Sequence, residues 1–398
     1  MNNKIKNVLY VTYDGLSDPV SQSQILPYLE KLSNNAIKFH ILSFEKKEKL
    51  PKLEDELWSK VEKYNWVWYP DDYTKKPAIL SALYDIDRGR EKIKKILKYN
   101  PEILCIHARS YISMMMAYPA AKRYNIPIIF DMRGFWADER VDGHIWSLKN
   151  PIYRIVYKYF KRKEKLWLKN SDAIVVLTDA AKDFIIDKFS IASNKIYVIP
   201  CATDFDFFDP DKVEIKYDNH IFNLLYFGSA ENWYLFDEMF EFYNEYRRVF
   251  IPSKFTLILH SKNNKILELL NKYKWYNEVE IIYNIPRASM PKYINQAMHV
   301  VFFLNQNFSN IGISPIKNAE ALAMGKPIIT NTSSEAIVTL EEKKLGVFVK
   351  NHNKKEYRSA CLKLKNTDFD SQYIRAMARE KYDLTLLSSK YIDVYDAI

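Results

Sequence analysis

The chain lacks any apolar run near the roughly eighteen residues that a membrane-spanning helix needs. Cysteine is sparse: Cys105, Cys201 and Cys361 stand far apart, without the paired spacing of a zinc site or a disulfide framework, and read as small buried apolar residues. No low-complexity tract and no short repeat occurs. No Cys/His pairing or aromatic reader segment marks a nucleic-acid module, and the basic residues are interspersed with Glu and Asp, so nucleic acid is not an expected partner. The apolar stretch after Lys4 and Lys6 ends at Asp14, too early for a secretory signal; it reads as a first strand, and the chain as cytoplasmic.

What is present points to a two-domain protein. At 398 residues the chain exceeds the size at which one core usually stops growing, and its formal net charge of +10 suits an anionic partner such as a nucleotide sugar or anionic lipid. NVLYVTY (residues 7–13) and NLLYFGS (223–229) are both buried-strand patterns that run into a Gly-containing turn and an amphipathic helix. HILSF, WVWY, ILCIH, PIIFDM, AIVVLT and IYVIP follow the first; FTLILH, VEIIYNI, HVVFFLN, PIIT and GVFVK follow the second. Strands alternating with helical stretches predict two parallel sheets covered on both faces, joined near Pro200 to Asp218, where the sequence is polar and aperiodic.

In open parallel sheets ligands bind beyond the carboxyl ends of strands. SPIKNAEALAMGKPIITN (314–331) reads as loop, helix and buried strand: Pro315 suits a helix start, Gly325 a stop, and Pro327 bars continuation. Lys317 and Glu320 lie three apart and project from one side, where free N–H groups and an ammonium suit a diphosphate and a carboxylate suits ribose hydroxyls. A capped helix with an ordinary Lys/Glu pair fits the same spacing. Other positions after strands are Gly15, the pair His107 and Arg109, the DMRGFWADER segment with Arg133, Trp136, Asp138 and Glu139, then Gly228, and Lys262. For these the plainer readings are turn glycines, a hydrogen-bonded core His, a self-neutralising charge network and a solvated Lys. Asp204/Asp206 and Asp368/Asp370 have a metal-like spacing but sit in polar connecting segments. Between Tyr153 and Lys169, Arg154, Lys158, Lys161, Lys165 and Lys169 form one stripe beside aromatic residues. It fits anionic lipid headgroups, or a solvated face over a buried apolar one.

SPIKNAEALAMGKPIITN is similar to the donor-nucleotide segment of glycosyltransferase family 4, retaining enzymes of the two-domain GT-B fold. YDGLSDPVSQSQILPYL, HARSYISMM with FDMRGFWADERVDG, and YFGSAENWYLFDEM resemble a branch of that family that works on bacterial surface polysaccharides. The resemblance implies two Rossmann-like, doubly wound α/β domains facing a central cleft: 1–205 on the acceptor side, 206–383 on the nucleotide-sugar side, and 384–398 crossing back to the first. It implies hexosyl transfer from a nucleoside diphosphate sugar to a saccharide or lipid-linked acceptor, with no metal and no cofactor. Gly15, Gly228, Lys262, Gly312, Ser314, Lys317 and Glu320 then fall to the donor; His107, Arg109, Trp136 and Glu139 to the acceptor; and Arg133, Lys317 and Asp138 to catalysis. The chain departs from the family at Ser21 (usually Gly), near Arg133 (often His), at Ser229 and Tyr234 (roughly where an Arg and a Lys stand), and at Gly312 (the first Glu of a Glu-x7-Glu pattern). The alternatives are a nucleotide-sugar epimerase of the same fold and a catalytically silent nucleotide-sugar-binding subunit.

Overall fold

The computed structural model describes residues 6–213, 221–230, 233–331 and 340–398. Lys4, the far part of the expected junction (214–218), and Glu231 and Asn232 of the GSAENWY segment lie outside the described residues.

Among the described residues seven strands appear in the first half: β1 (Lys6–Thr12), β2 (Ile37–Glu45), β3 (Val67–Asp72), β4 (Ile103–Arg109), β5 (Ile128–Asp131), β6 (Ala173–Val176) and β7 (Ile196–Val198). The second half holds β8 (Phe222–Gly228), β9 (Ser253–Leu259), β10 (Val279–Tyr283), β11 (His299–Phe302), β12 (Ile328–Thr330) and β13 (Gly346–Phe348). Each lies within or overlaps an expected apolar run. Central strands such as β5 and β6 are buried at every position, so apart from Asp131 at the end of β5 they carry continuous apolar sequence instead of alternation.

Among the described residues the strands form two parallel sheets, ordered β3-β2-β1-β4-β5-β6-β7 and β10-β9-β8-β11-β12-β13. The winding reverses between β1 and β4 in the first sheet and between β8 and β11 in the second. The loops after those strands therefore flank the two topological switch points, where open parallel sheets bind ligands.

The chain divides into a unit comprising residues up to Pro200 with Leu384–Ile398, and a unit of Cys201–Asp383. The division falls after residue 200, not 205, because the intervening residues are tied to the second core. Thr203 N–H donates to Tyr382 O at 2.9 Å, Arg375 donates to Phe205 O at 2.6 Å, and the Phe205 ring is buried. The helix Leu384–Asp396 packs in the first unit, where Tyr391 meets Tyr28 edge-on at 5.1 Å and Lys6 donates to Tyr395 O at 3.0 Å. No helix among the described residues is long and apolar enough to cross a membrane.

Candidate functional site

In the second unit, β8 ends on Gly228, whose φ of +128° is open to glycine and unfavourable for other residues. The helix Ile316–Ala323 starts after Pro315 without a side-chain cap, as the segment predicts, and Gly325 (φ +67°) follows its end. The Asn318 N–H turns back to Pro315 O at 3.1 Å, which leaves the N–H groups of Ile316 and Lys317 as the ones an anion at this helix start would meet. Lys317 and Glu320 do share one side of the helix, but both are buried. Lys317 Nζ donates to Tyr226 Oη at 3.0 Å and lies 3.6 Å from the Tyr234 ring centroid. A Cβ on residue 228 would fall 2.5 Å from Lys317 Cε and 2.7 Å from Nζ, so glycine there makes room for the amine as well as the turn. Burial pushes Lys317 well below the usual lysine range, with Glu320 opposing. Burial likewise raises the Glu320 carboxyl against the pull of Arg287, whose Nη1 donates to Glu320 Oε1 at 2.8 Å.

Arg287 itself rests over the Phe207 and Phe208 rings at 5.7 and 5.3 Å. Ser314, half-buried, accepts from the Cys201 N–H at 3.4 Å, and buried Gly312 closes the 3-10 turn Phe308–Gly312 just before it. Lys262 follows β9 but is exposed, outside this enclosed cluster.

The first unit gathers charge at the ends of β1, β4 and β5. Arg109 and Arg133 both donate to Gln24 Oε1, at 3.2 and 3.0 Å, and both face Asp131, at 3.5 and 3.8 Å. Burial alone would raise the Asp131 carboxyl; Arg133, His107 and Arg109 hold it below the usual carboxylate range. Arg133 has a φ of +58° and precedes Gly134 at +126°, a tight left-handed turn that aims its guanidinium back over the strand ends. Asp14, half-buried after β1, is raised by burial against the opposing charge of Arg109.

Several expected site residues are engaged elsewhere. His107 is on the same side as Arg109, as strand alternation requires, but only 2 % exposed. Its Nδ1 meets Tyr395 Oη at 2.6 Å and its Nε2 meets Asp131 Oδ2 at 3.3 Å, so neither ring nitrogen is open to an acceptor. Burial lowers its pKa, as expected for a neutral core imidazole. Asp138 is turned away from the strand ends: Tyr157 donates to one oxygen at 2.8 Å and Lys161 to the other at 2.7 Å. The same contact removes Lys161 from the expected basic stripe, since it is drawn inward between Asp138 and Glu164. Trp136 packs among Tyr111, Trp146 and Phe160, with the Arg140 guanidinium 4.9 Å over its ring. Gly15 is required by its neighbours: a Cβ there would lie 2.6 Å from Glu45 Oε2, and Glu45 accepts from the Leu16 and Ser17 N–H groups. Glu139 is half-buried, and burial pushes its carboxyl up to about 7.

Sequence reasoning missed Asp14, Gln24, Asp131 and Arg287 as site members. Arg287 stands just beyond β10, so the rule that sent attention to strand ends could have found it; Gln24 sits in a polar helix with no such signal. Among the described residues no group of three or more His, Cys, Asp or Glu is arranged to hold a metal ion.

Residues 29–207 match the model of Glycosyltransferase Family 4. A sequence search of curated proteins finds no significant match. Solved structures with the same fold include a glycosyltransferase from Rickettsia africae ESF-5 (18% identity, TM-score 0.69, covering 99% of this chain and 98% of that one). Another is HepE of Anabaena in complex with UDP and glucose (10% identity, TM-score 0.70, covering 99% and 100%). A third is the UDP-GlcNAc 2-epimerase of Neisseria meningitidis bound to UDP-GlcNAc (13% identity, TM-score 0.61, covering 97% and 98%). The two parallel-sheet units thus have the GT-B fold of glycosyltransferases.

Proposed function

We propose that the protein is a retaining glycosyltransferase that moves a hexosyl group from a nucleoside diphosphate sugar to a saccharide or lipid-linked acceptor in cell-surface polysaccharide synthesis, at the inner face of the cytoplasmic membrane. The observation that carries this reading is the enclosed pair on the helix Ile316–Ala323, with the Lys317 amine held under Gly228 and Glu320 one turn on. A lysine buried against two phenol rings is costly unless an anion joins it, and a diphosphate at the uncapped helix start supplies that anion. Arg287 fixes Oε1 of Glu320. Oε2 is the oxygen proposed to take the ribose hydroxyls. In the first unit Arg109 and Arg133, steadied by Gln24 and Asp131, are the proposed anion contacts, and Asp14 and Glu139 the proposed acceptor-hydroxyl contacts.

As the sugar–phosphate bond breaks, negative charge grows on the departing diphosphate. Lys317 and the helix N–H groups stabilise that charge more than the ground state, which lowers the barrier. No protein nucleophile is required if the acceptor attacks on the face the diphosphate leaves and the departing oxygen helps take its proton. The test is a thermal-shift panel of nucleotide sugars, since a ligand of the native state raises its stability by mass action. The stabilising donor is then assayed for acceptor-dependent release of nucleoside diphosphate. The second reading, an epimerase, is favoured by the epimerase that shares the fold. Free epimer formed from the donor without acceptor would select it.

A further inference from the structure

The helix Pro151–Asn170 has two apolar faces, and the fold uses one. Phe160, Trp167 and Leu168 are buried inward. Ile152, Ile155, Tyr159 and Leu166 are 58%, 68%, 41% and 38% exposed. Their spacings of three, four and seven residues put them on one outward stripe. Arg154, Lys158, Arg162, Lys165 and Lys169 are exposed alongside. The only carboxylate of the helix, Glu164, is buried and paired with Lys161.

A second apolar patch lies on the same side of the sheet. The helix Ala78–Tyr99 exposes Leu80, Leu83 and Tyr84 in its opening turns, just after exposed Lys75 and Lys76. Between the two helices lies Ser110–Tyr124: Arg90 donates to Met115 O at 3.1 Å, and Tyr159 Oη to Met115 Sδ at 3.6 Å. Each of the three helices leads into a parallel strand, β4, β5 or β6, so all run the same way. Their first turns therefore lie at the carboxyl edge of the sheet, the edge that carries Arg109 and Arg133.

We propose that this face of the first unit docks on an anionic lipid bilayer, with Ile152, Ile155 and the Leu80–Tyr84 patch entering the headgroup boundary and the flanking cations on the headgroups. Charge complementarity selects this occupant. A second copy of the same face would bring cations against cations without a carboxylate on the Pro151–Asn170 helix to offset them, whereas an anionic bilayer offers both apolar depth and negative charge. Docking there would set the Arg109 and Arg133 edge beside the headgroups. It is a property of the first unit and stands apart from whether the protein transfers sugar.

The test is flotation of the purified full chain with vesicles of phosphatidylcholine and phosphatidylglycerol at a three-to-one ratio, or of phosphatidylcholine alone. Binding is expected to the anionic vesicles and to weaken steeply with added salt. Each basic residue at such a surface is worth about fivefold in affinity, so Lys158→Glu with Lys165→Glu should weaken binding at least about twentyfold. Ile152→Asp with Ile155→Asp should weaken it at least about tenfold at unchanged basic charge. All four positions are exposed, and unchanged melting temperature and nucleotide affinity would show that the fold is intact. Wild type that fails to float with anionic vesicles, or isoleucine variants that float as well as wild type, would overturn the proposal. A concentration-dependent dimer in sedimentation velocity that the isoleucine variant abolishes would also overturn it, by assigning the face to a second copy.

Discussion

Replacing Lys317 with Met separates a ligand-binding lysine from a structural one, because the two roles move stability in opposite directions. Methionine keeps the length and apolar stem but removes the amine. The folded protein then loses one hydrogen bond to Tyr226, worth about 1 kcal/mol, and is relieved of burying a polar group, which costs roughly 1–3 kcal/mol. Tyr226 keeps its bond to Ser229 O. A net gain of about 1 kcal/mol is expected, or a melting temperature about 2–4 °C higher for a unit of this size. Nucleoside diphosphate binding should weaken, since a lost charge-assisted hydrogen bond costs about 1.5–3 kcal/mol, roughly tenfold to a hundredfold and more in Kd. Burial disfavours the charged amine in the free protein and a diphosphate restores it, so wild-type binding takes up a proton. Affinity should accordingly fall as pH rises above the lowered lysine value, and the Met variant should lack that slope. Scanning fluorimetry of the free proteins and calorimetry with UDP across pH measure both effects. A lower melting temperature with undiminished UDP affinity would make Lys317 a strut and end the argument.

Glu320→Gln should weaken nucleotide binding about tenfold or more by calorimetry, because a neutral amide accepts more weakly from ribose hydroxyls and from Arg287; equal affinity would move the ribose elsewhere. The Glu139 carboxyl is held up to about 7 in the folded chain against an ordinary value of 4.5, so the folded state binds more protons between those values and stability should decline as pH rises through them. Urea midpoints of Glu139→Gln should show a shallower decline than wild type over that range, and parallel curves would refute the assignment. EDTA is expected to leave transfer activity intact, with Lys317 and the helix N–H groups carrying the diphosphate charge; loss of activity that magnesium restores would assign that role to a metal.

The strands were legible because central parallel strands are buried on both faces and so mostly apolar, and runs such as PIIFDM, interrupted only by Asp131, and AIVVLT admit little else. The helix 316–323 was legible from its punctuation, Pro315 before it and Gly325 after it. Spacing also placed Lys317 beside Glu320, but spacing does not show depth: the enclosure of Lys317 depends on Tyr226, far away in sequence. His107 and Asp138 were read from their position after a strand, yet their fates are set by side chains on other elements. Tyr395 closes over the imidazole, and Tyr157 with Lys161 turns the carboxylate aside. A residue's distance from a strand end fixes where its Cα lies; the partner that captures its polar atoms comes from tertiary packing.

The return of Leu384–Ile398 to the first unit has a consequence for how the chain is made. Tyr391 and Tyr395 supply phenols to the His107–Asp131 pair, so residues up to Pro200 emerge from the ribosome with His107 Nδ1 lacking its partner and Asp131 short of one hydrogen bond. The second unit is contiguous, and its two ends are pinned to each other through Thr203 and Tyr382, so it can close as soon as it is synthesised. During translation the earlier-made half is therefore completed last, and a chain truncated just after Asp383 should leave it loosely packed and protease-sensitive while the second unit, complete at that point, is resistant.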